Sequence, residues 1–110
     1  MHEIKAIVRS DRLADVVQAL HEVKELPGVT VSVVRGFGRR EPRRTEDPVA
    51  FGEVEMAKLE TVVPDHLLAR VVDIIATVAR TRRAGDGKIF VVRVDEAIRI
   101  RTGERDDAAL

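Results

Sequence analysis

Polar and apolar residues alternate with a period of two over the first segment of the chain. Residues 2–9 place Ile4, Ala6 and Val8 on one face of an extended segment and Lys5 and Ile7 on the other. This alternation is the pattern of a β-strand that is buried on one side. We therefore predict a first strand at residues 2–9.

The pattern changes to a helical period directly after this strand. Ser10 and Asp11 offer side-chain oxygens for a helix N-cap, and Pro27-Gly28 ends the segment. Between them, apolar residues recur at helical spacing, at Leu13, Val16, Val17, Leu20 and Val23. A second strand rich in β-branched residues follows at residues 29–34.

The second half of the chain repeats this order. Alternation from Val54 to Val63 predicts a third strand, and Pro64 suits the first turn of a helix. That helix has a broad apolar face, formed by Leu67, Leu68, Val71, Val72, Ile74, Ile75 and Val78. Residues 89–94 predict a fourth strand, and residues 98–101 a short fifth one.

Two segments lack this periodicity. Residues 38–52 are charged and interrupted by proline, which predicts a long loop of the kind that is often functional. Residues 102–110 are polar and predict a flexible C-terminal tail. We treat residues 1–110 as a single domain that contains this loop and this tail.

The order β-α-β, loop, β-α-β predicts the α+β class. Two split βαβ halves give a ferredoxin-like βαββαβ fold, a four-stranded antiparallel sheet with two helices on one face. The other face of the sheet needs a partner, because a chain of 110 residues has a modest core. We expect a second copy of the chain to cover it.

Composition narrows the function classes. Hydrophobic residues make up 45% and charged residues 35%, and 19 basic residues balance 19 acidic ones. Net neutrality argues against a nucleic-acid-binding module. The absence of cysteine excludes disulfides and thiolate zinc sites. With no secretory h-region and no apolar run near 20 residues, we expect a cytoplasmic protein without membrane insertion.

Catalytic and metal-binding patterns are absent from the sequence. His2, His21 and His66 lack metal-ligand spacing, and we interpret them as structural or solvated residues. Neither Ser10 nor Ser32 lies in a nucleophile-elbow sequence. We therefore predict no enzyme and no metal site.

Glycine and arginine placement is more informative. Gly36-Phe37-Gly38-Arg39 ends a strand, and Gly85-Asp86-Gly87-Lys88 precedes another; both combine flexible backbone with a cation. Arg99 and Arg101 alternate, so both guanidinium groups could reach one polyanion. Taken singly, each element also fits a bend, a tight turn or a solvated strand. Together, the three favour a nucleotide-binding protein.

These segments resemble the PII signal-transduction family. The matching stretches are residues 30–39 (TVSVVRGFGR), 62–65 (VVPD), Thr81 with 85–91 (GDGKIFV), 98–104 (IRIRTGE) and 106–109 (DDAA). The resemblance covers everything except the long loop and keeps the same order. It implies a homotrimer that binds ATP or ADP in three clefts between neighbouring subunits.

The resemblance also implies site residues. One side of the cleft would be formed by Ile7, Thr30, Gly36, Phe37, Gly38, Arg39 and Val62, and phosphates would be held by Gly85, Asp86, Gly87 and Lys88. Arg99 and Arg101 would reach across from the adjacent subunit. Residues 38–52 correspond to the T-loop, which docks onto a regulated partner such as a membrane transporter. Its partner-binding residues would be Arg40, Arg43, Arg44 and Phe51.

Departures from the family pattern limit this function. Members that sense 2-oxoglutarate have a glutamine where this chain has Arg40, and a lysine where it has Met56. The Arg40 side chain has no oxygen that could bind a metal ion. Whether magnesium accompanies the nucleotide is left open. Magnesium-dependent 2-oxoglutarate sensing is therefore disfavoured, and the absence of tyrosine removes the family's modification site. Slow ATP hydrolysis in the same cleft and a trimer with a relic cleft are the alternatives.

Overall fold

Four strands and two helices form the part of the chain that the structure describes. The computed structural model describes the backbone of residues 1–40 and 50–110 and the side chains of residues 1–38 and 52–110. The elements are β1 (His2–Arg9), α1 (Leu13–His21), β2 (Thr30–Arg40), β3 (Ala50–Val63), α2 (Asp65–Ala79) and β4 (Gly87–Arg93). Short 3₁₀ turns at Ser10–Arg12 and Asp106–Ala109 precede α1 and end the chain.

The sheet has the strand order β2-β3-β1-β4, and every neighbouring pair is antiparallel. Strands that are adjacent in the chain on either side of a helix are therefore separated in the sheet, as the split βαβ arrangement requires. The predicted ferredoxin-like fold is confirmed.

The core lies between one face of the sheet and the two helices. Ile4, Ala6 and Val8 of β1 are buried, as the alternation predicted. The helices contribute the buried side chains Val16, Leu20, Leu67, Val71, Ile75 and Ala79. Thr61 of β3 is also buried, and its hydroxyl donates a hydrogen bond to the carbonyl oxygen of Gly28 at 2.6 Å.

The opposite face of the sheet, called the open face here, carries the alternate residues of each strand. Glu3, Lys5 and Ile7 lie on it, in register with Val62, Glu60 and Lys58 of β3. Ion pairs join Lys5 to Glu3 at 3.8 Å and Lys58 to Glu60 at 3.2 Å. No helix of residues 1–40 and 50–110 covers this face, because α1 and α2 both pack on the other side.

Strands β2 and β3 are longer than predicted. Residues 38–40 and 50–52 belong to a ladder that pairs Gly38 with Gly52 and Arg40 with Ala50. The predicted loop at 38–52 was therefore too wide at both ends. Pairing of the backbone defines this stem, and residues 38–40 (GRR) show no alternation of apolar and polar residues, so hydrophobic periodicity could not reveal it.

The predicted short fifth strand at residues 98–101 is wrong. Ile98 forms an isolated bridge with Arg105, and the chain turns between them. The N–H of Gly103 donates to the carbonyl oxygen of Arg99 at 2.8 Å, and Gly103 adopts a φ of 73°. A closed turn of this kind replaces the extended backbone that alternating Arg99 and Arg101 would need.

The ends of α1 also differ from the prediction. No side chain caps either the turn at Ser10–Arg12 or α1 itself. The helix ends at His21, well before Pro27-Gly28, and Val23 and Leu26 donate to carbonyl groups three residues earlier. The tighter i→i−3 bonds end the α-helical ladder while keeping Val23 buried in the core.

Candidate functional site

A groove on the open face collects most of the predicted nucleotide residues. This glycine groove has a volume of about 490 Å³. It lies where β1, β4 and the β2–β3 stem meet, since Ile7 pairs with Lys88 and Gly36 with Val54. Its walls are Ile7, Gly36, Phe37, Gly38, Val54, Met56, Gly85, Asp86, Gly87, Lys88 and Phe90.

The groove combines apolar rings with a cation. Phe37 and Phe90 are 63% and 49% exposed, so both rings are accessible to a ligand. Lys88 belongs to none of the ion pairs found among the described residues. An apolar wall beside an ammonium group suits a ligand that has a planar apolar part and an anionic part.

The loop from Gly85 to Lys88 depends on its two glycines. Gly85 and Gly87 have φ values of 88° and 101°, in the region that favours glycine. A Cβ at Gly87 would lie 1.7 Å from the carbonyl oxygen of Ile7. The loop therefore lies directly against β1, and its four residues all line the groove.

The carboxylate of Asp86 is fully engaged by its own neighbourhood. One oxygen accepts hydrogen bonds from Arg9 Nε at 3.0 Å and from the Thr81 hydroxyl, and the other from the N–H groups of Thr81 at 2.8 Å and Arg82 at 3.0 Å. These donors, chiefly Thr81, hold the pKa of Asp86 far below its ordinary value. The side chain thus organises the loop and has little capacity left for a ligand or a metal.

Thr30 and Val62, which the sequence placed with the residues above, lie at the other end of the sheet. A second groove of about 410 Å³, the tail groove, is formed there by Glu3, Pro27, Gly28, Thr30, Glu60, Thr61, Val62, Ala109 and Leu110. Thr30 and Gly36 are six residues apart along β2, which corresponds to about 20 Å. One chain therefore divides the predicted residues between two ends of its open face.

Arg99 lies beside the tail groove and binds the end of the chain. Its Nη2 donates to the carbonyl oxygen of Leu110 at 2.6 Å, and its Nε to that of Ala109 at 3.4 Å. Its Nη1 is 3.5 Å from Glu104 Oε1. In place of a loose tail, the structure has a 3₁₀ turn that this guanidinium group holds. Arg101 is exposed in the adjacent turn.

Other predicted residues are only partly described. Arg43 and Arg44 lie outside the described residues, and so do the side chains of Arg39, Arg40 and Phe51. Within residues 1–40 and 50–110, no group of three or more His, Asp or Glu side chains could hold a metal ion. In the same part of the chain, no helix is both long and apolar enough to span a membrane.

Sequence reasoning missed several residues of the two grooves. Strand alternation could have found Phe90 and Val54. Phe90 lies two residues after Lys88 and Val54 two residues before Met56, so each shares a face of its strand with that residue. Arg9 has no such signal. It reaches the glycine loop only through the fold, across a sequence separation of 77 residues.

Comparisons with known proteins agree on one family. The family model described as nitrogen regulatory protein P-II matches residues 1–104. The nitrogen regulatory protein P-II of Rhodospirillum rubrum is 44% identical, and P-II 1 of Escherichia coli 46% identical, each over 115 aligned residues that cover both chains completely.

Solved structures give the same result. The Bacillus subtilis GlnK–ATP complex is 28% identical with a TM-score of 0.84, covering 99% of this chain and 96% of that one. Arabidopsis thaliana PII bound to citrate is 42% identical with a TM-score of 0.80, covering 99% and 91%. The fold and the sequence therefore point to the same relatives.

Proposed function

The chain belongs to the nitrogen regulatory protein P-II family, and on this premise we propose that it is a regulator that binds ATP or ADP between the subunits of a homotrimer. The ligand state would be transmitted through residues 38–52 to a partner protein. We place it in the cytoplasm, where nucleotides of this class are available.

The division of the predicted residues between two grooves is the observation that carries this proposal. The glycine groove supplies apolar walls, backbone N–H groups and Lys88, whereas the tail groove supplies Thr30 and Val62 with Arg99 beside it. Neither groove alone has a full set of groups for a base and a polyphosphate. A head-to-tail contact, which closes a ring at the right rotation, would bring one groove of each kind together.

The chemistry of the combined cleft suits a nucleoside polyphosphate. The N–H groups of the loop at Gly85–Lys88 and the Lys88 ammonium would bind phosphate oxygens from one subunit. Arg99 and Arg101 of the next subunit would add charge-assisted hydrogen bonds. The GlnK relative was solved with ATP and the plant PII with citrate, a polycarboxylate, so both are anion complexes.

Regulation would use the β2–β3 stem. Gly36, Phe37 and Gly38 line the glycine groove, and the same strand continues to Arg40, where residues 41–49 begin. A ligand that fits one arrangement of this stem better than another shifts its population. We propose a protein partner for the loop, with a membrane transporter as the leading candidate.

Binding is favoured over hydrolysis in this proposal. Asp86 is the carboxylate of the glycine groove, and four donors already occupy it. It is therefore poorly placed to act as a general base toward water.

Subunit complementation tests the shared cleft. Lys88→Gln damages the glycine groove and Arg101→Ala damages the other half, so each variant alone should lose most ADP and ATP binding. In trimers made by co-expressing the two at equal levels, about one quarter of the clefts would combine two intact halves. Isothermal titration calorimetry should detect that fraction at close to wild-type affinity.

The outcomes separate the parts of the proposal. No recovery in the mixed trimers, with normal binding by the unaltered protein, would show that each site lies within one chain. Failure of the unaltered protein to bind either nucleotide would contradict the proposed function itself.

A further inference from the structure

Arg9 is the last residue of β1 and connects that strand to the loop before β4. Its Nε donates to Asp86 Oδ1 at 3.0 Å, and its Nη2 donates to the carbonyl oxygen of Ala84. One guanidinium group therefore holds both a side chain and the backbone of the loop. Only 25% of its side chain is exposed.

Asp86 extends this contact through the rest of the loop. Because its carboxylate also accepts from the N–H groups of Thr81 and Arg82, it ties the start of the loop to its end. Arg9 joins this network to the sheet, and no other described side chain bonds to Asp86 from outside the loop. Removal of Arg9 would leave the loop closed on itself and joined to β1 only by the strand pairing that begins at Gly87.

The position of the loop relative to β1 determines where its N–H groups point. Gly85, Gly87 and Lys88 line the glycine groove, and Arg9 lines an adjoining cavity together with Ala84 and Gly85. The guanidinium Nη2 lies 3.6 Å from where a Gly85 Cβ would be. Arg9 therefore contacts the loop without being one of the residues that line the glycine groove.

We propose that Arg9 is a positioning residue for the proposed nucleotide site, holding the Gly85–Lys88 loop in the geometry that binds phosphate without contacting the ligand. This role rests on the proposed function. Anion binding by backbone N–H groups depends on their fixed orientation. In enzymes, a displacement of about 1 Å in a positioned group lowers the reaction rate up to a hundredfold, and we expect a similar loss of affinity here. Gly85 and Gly87 give the loop conformational freedom, and the bonds from Arg9 to Asp86 and Ala84 restrict it.

The test compares Arg9→Gln with Arg12→Gln. Arg12 is a matched control because its guanidinium group also donates through Nε and Nη2, to the carbonyl oxygen of Val78 at 3.0 and 2.7 Å, and is 31% exposed. It lies away from both grooves. We expect Arg9→Gln to weaken ADP binding about ten- to hundredfold, and Arg12→Gln to leave it within about twofold.

Two further measurements separate positioning from general stability. The amide signals of Gly85 and Gly87 should shift in NMR spectra of Arg9→Gln and keep their positions in Arg12→Gln. Arg9→Lys should recover part of the affinity, because an ammonium can reach Asp86 but cannot form the same two-pronged contact. Should Arg9→Gln fail to fold, Thr81→Val loosens the same carboxylate from the other side and should show the same loss.

Three results would overturn the proposal. The first is that Arg9→Gln binds ADP as tightly as the unaltered protein. The second is that Arg12→Gln loses the same affinity as Arg9→Gln for the same drop in melting temperature. Unchanged Gly85 and Gly87 signals with reduced affinity would indicate that Arg9 contacts the ligand itself. Absence of ADP binding by the unaltered protein would instead contradict the proposed function, and the positioning role would fall with it.

Discussion

The missing Cβ of Gly87 would lie 1.7 Å from the carbonyl oxygen of Ile7, so β4 begins in direct contact with the backbone of β1. No side chain fits in this position, and the φ of 101° disfavours one as well. The contact is also where the glycine groove begins, because Ile7 and Gly87 both line it.

Gly87→Ala should therefore destabilise the fold and displace the loop. The strained φ alone costs about 1–3 kcal/mol, and relief of the clash adds to that cost. Urea denaturation should show a loss of at least this size, together with reduced nucleotide affinity. Gly38→Ala is the control, because no atom of the described residues lies within 4 Å of its Cβ position. Equal stability of the two variants would contradict the close contact.

The stability contributed by Asp86 should depend on pH. Its pKa is lowered in the folded protein, mainly by hydrogen bonds from Thr81, so the contribution is full above the ordinary value of 3.8. It declines as the pH falls through the lowered folded-state pKa. The difference in unfolding free energy between the unaltered protein and Asp86→Asn should thus be larger at pH 7 than at pH 3. A difference that grows on acidification would contradict this assignment.

Arg99 and Arg101 should differ in one respect only. Alanine at either position would remove a proposed phosphate contact of about 1.5–3 kcal/mol, which corresponds to roughly ten- to 150-fold weaker nucleotide binding. Arg99→Ala also frees Ala109 and Leu110, whose carbonyl oxygens it holds. Hydrogen–deuterium exchange at residues 107–110 should increase in Arg99→Ala and stay unchanged in Arg101→Ala. Unchanged affinity in both variants would place the phosphates elsewhere.

2-Oxoglutarate should leave ATP binding unchanged. Met56 lines the glycine groove with an uncharged thioether where oxo-acid sensors of the family have a lysine, and thus offers no cation to a carboxylate. Calorimetry of ATP with magnesium, with and without the oxo-acid, should give dissociation constants within about twofold. Clear synergy between the two ligands would contradict this expectation.

A charge on the β4 edge should prevent assembly. Phe90, Val91 and Val92 are all about half exposed, an apolar edge that is unusual on an isolated chain. Val92→Glu should shift the protein from trimer to monomer in sedimentation experiments at micromolar concentration. Thr77→Glu, on the exposed side of α2, should remain trimeric. A monomeric unaltered protein would contradict the proposed trimer and the shared cleft with it.

Periodicity located the core of the fold well, because burial on one side produces it. The prediction for β1 agrees with the structure, and α2 begins directly after Pro64. Periodicity failed where both faces of an element meet solvent. The stem from Gly36 to Arg40 has the sequence GFGRR, in which Phe37 is the one apolar side chain, so the backbone ladder has no periodic hydrophobic pattern. The turn after Ile98 likewise depends on Gly103 and backbone hydrogen bonds.

The site could be predicted only as a set of residue types. Glycine beside a cation marked the loop at Gly85–Lys88, and the structure places it in a groove with Phe37. The sequence could not divide the set into two halves, because that division depends on strand register. Thr30 belongs with the tail because β2 pairs with β3 in one particular alignment. Arg9 needed the packed fold, since local spacing carries no trace of its contact.

The position of the two grooves determines how many binding clefts of a trimer depend on each chain. β3 runs unbroken from the stem to Val63 and contributes Val54 and Met56 to one groove and Glu60 and Val62 to the other. In a ring of three, every chain would contribute its glycine groove to one cleft and its tail groove to another, and no cleft would be formed by one chain alone. A chain damaged in both grooves would then disable two of the three clefts, so each cleft needs two neighbouring chains that are both intact.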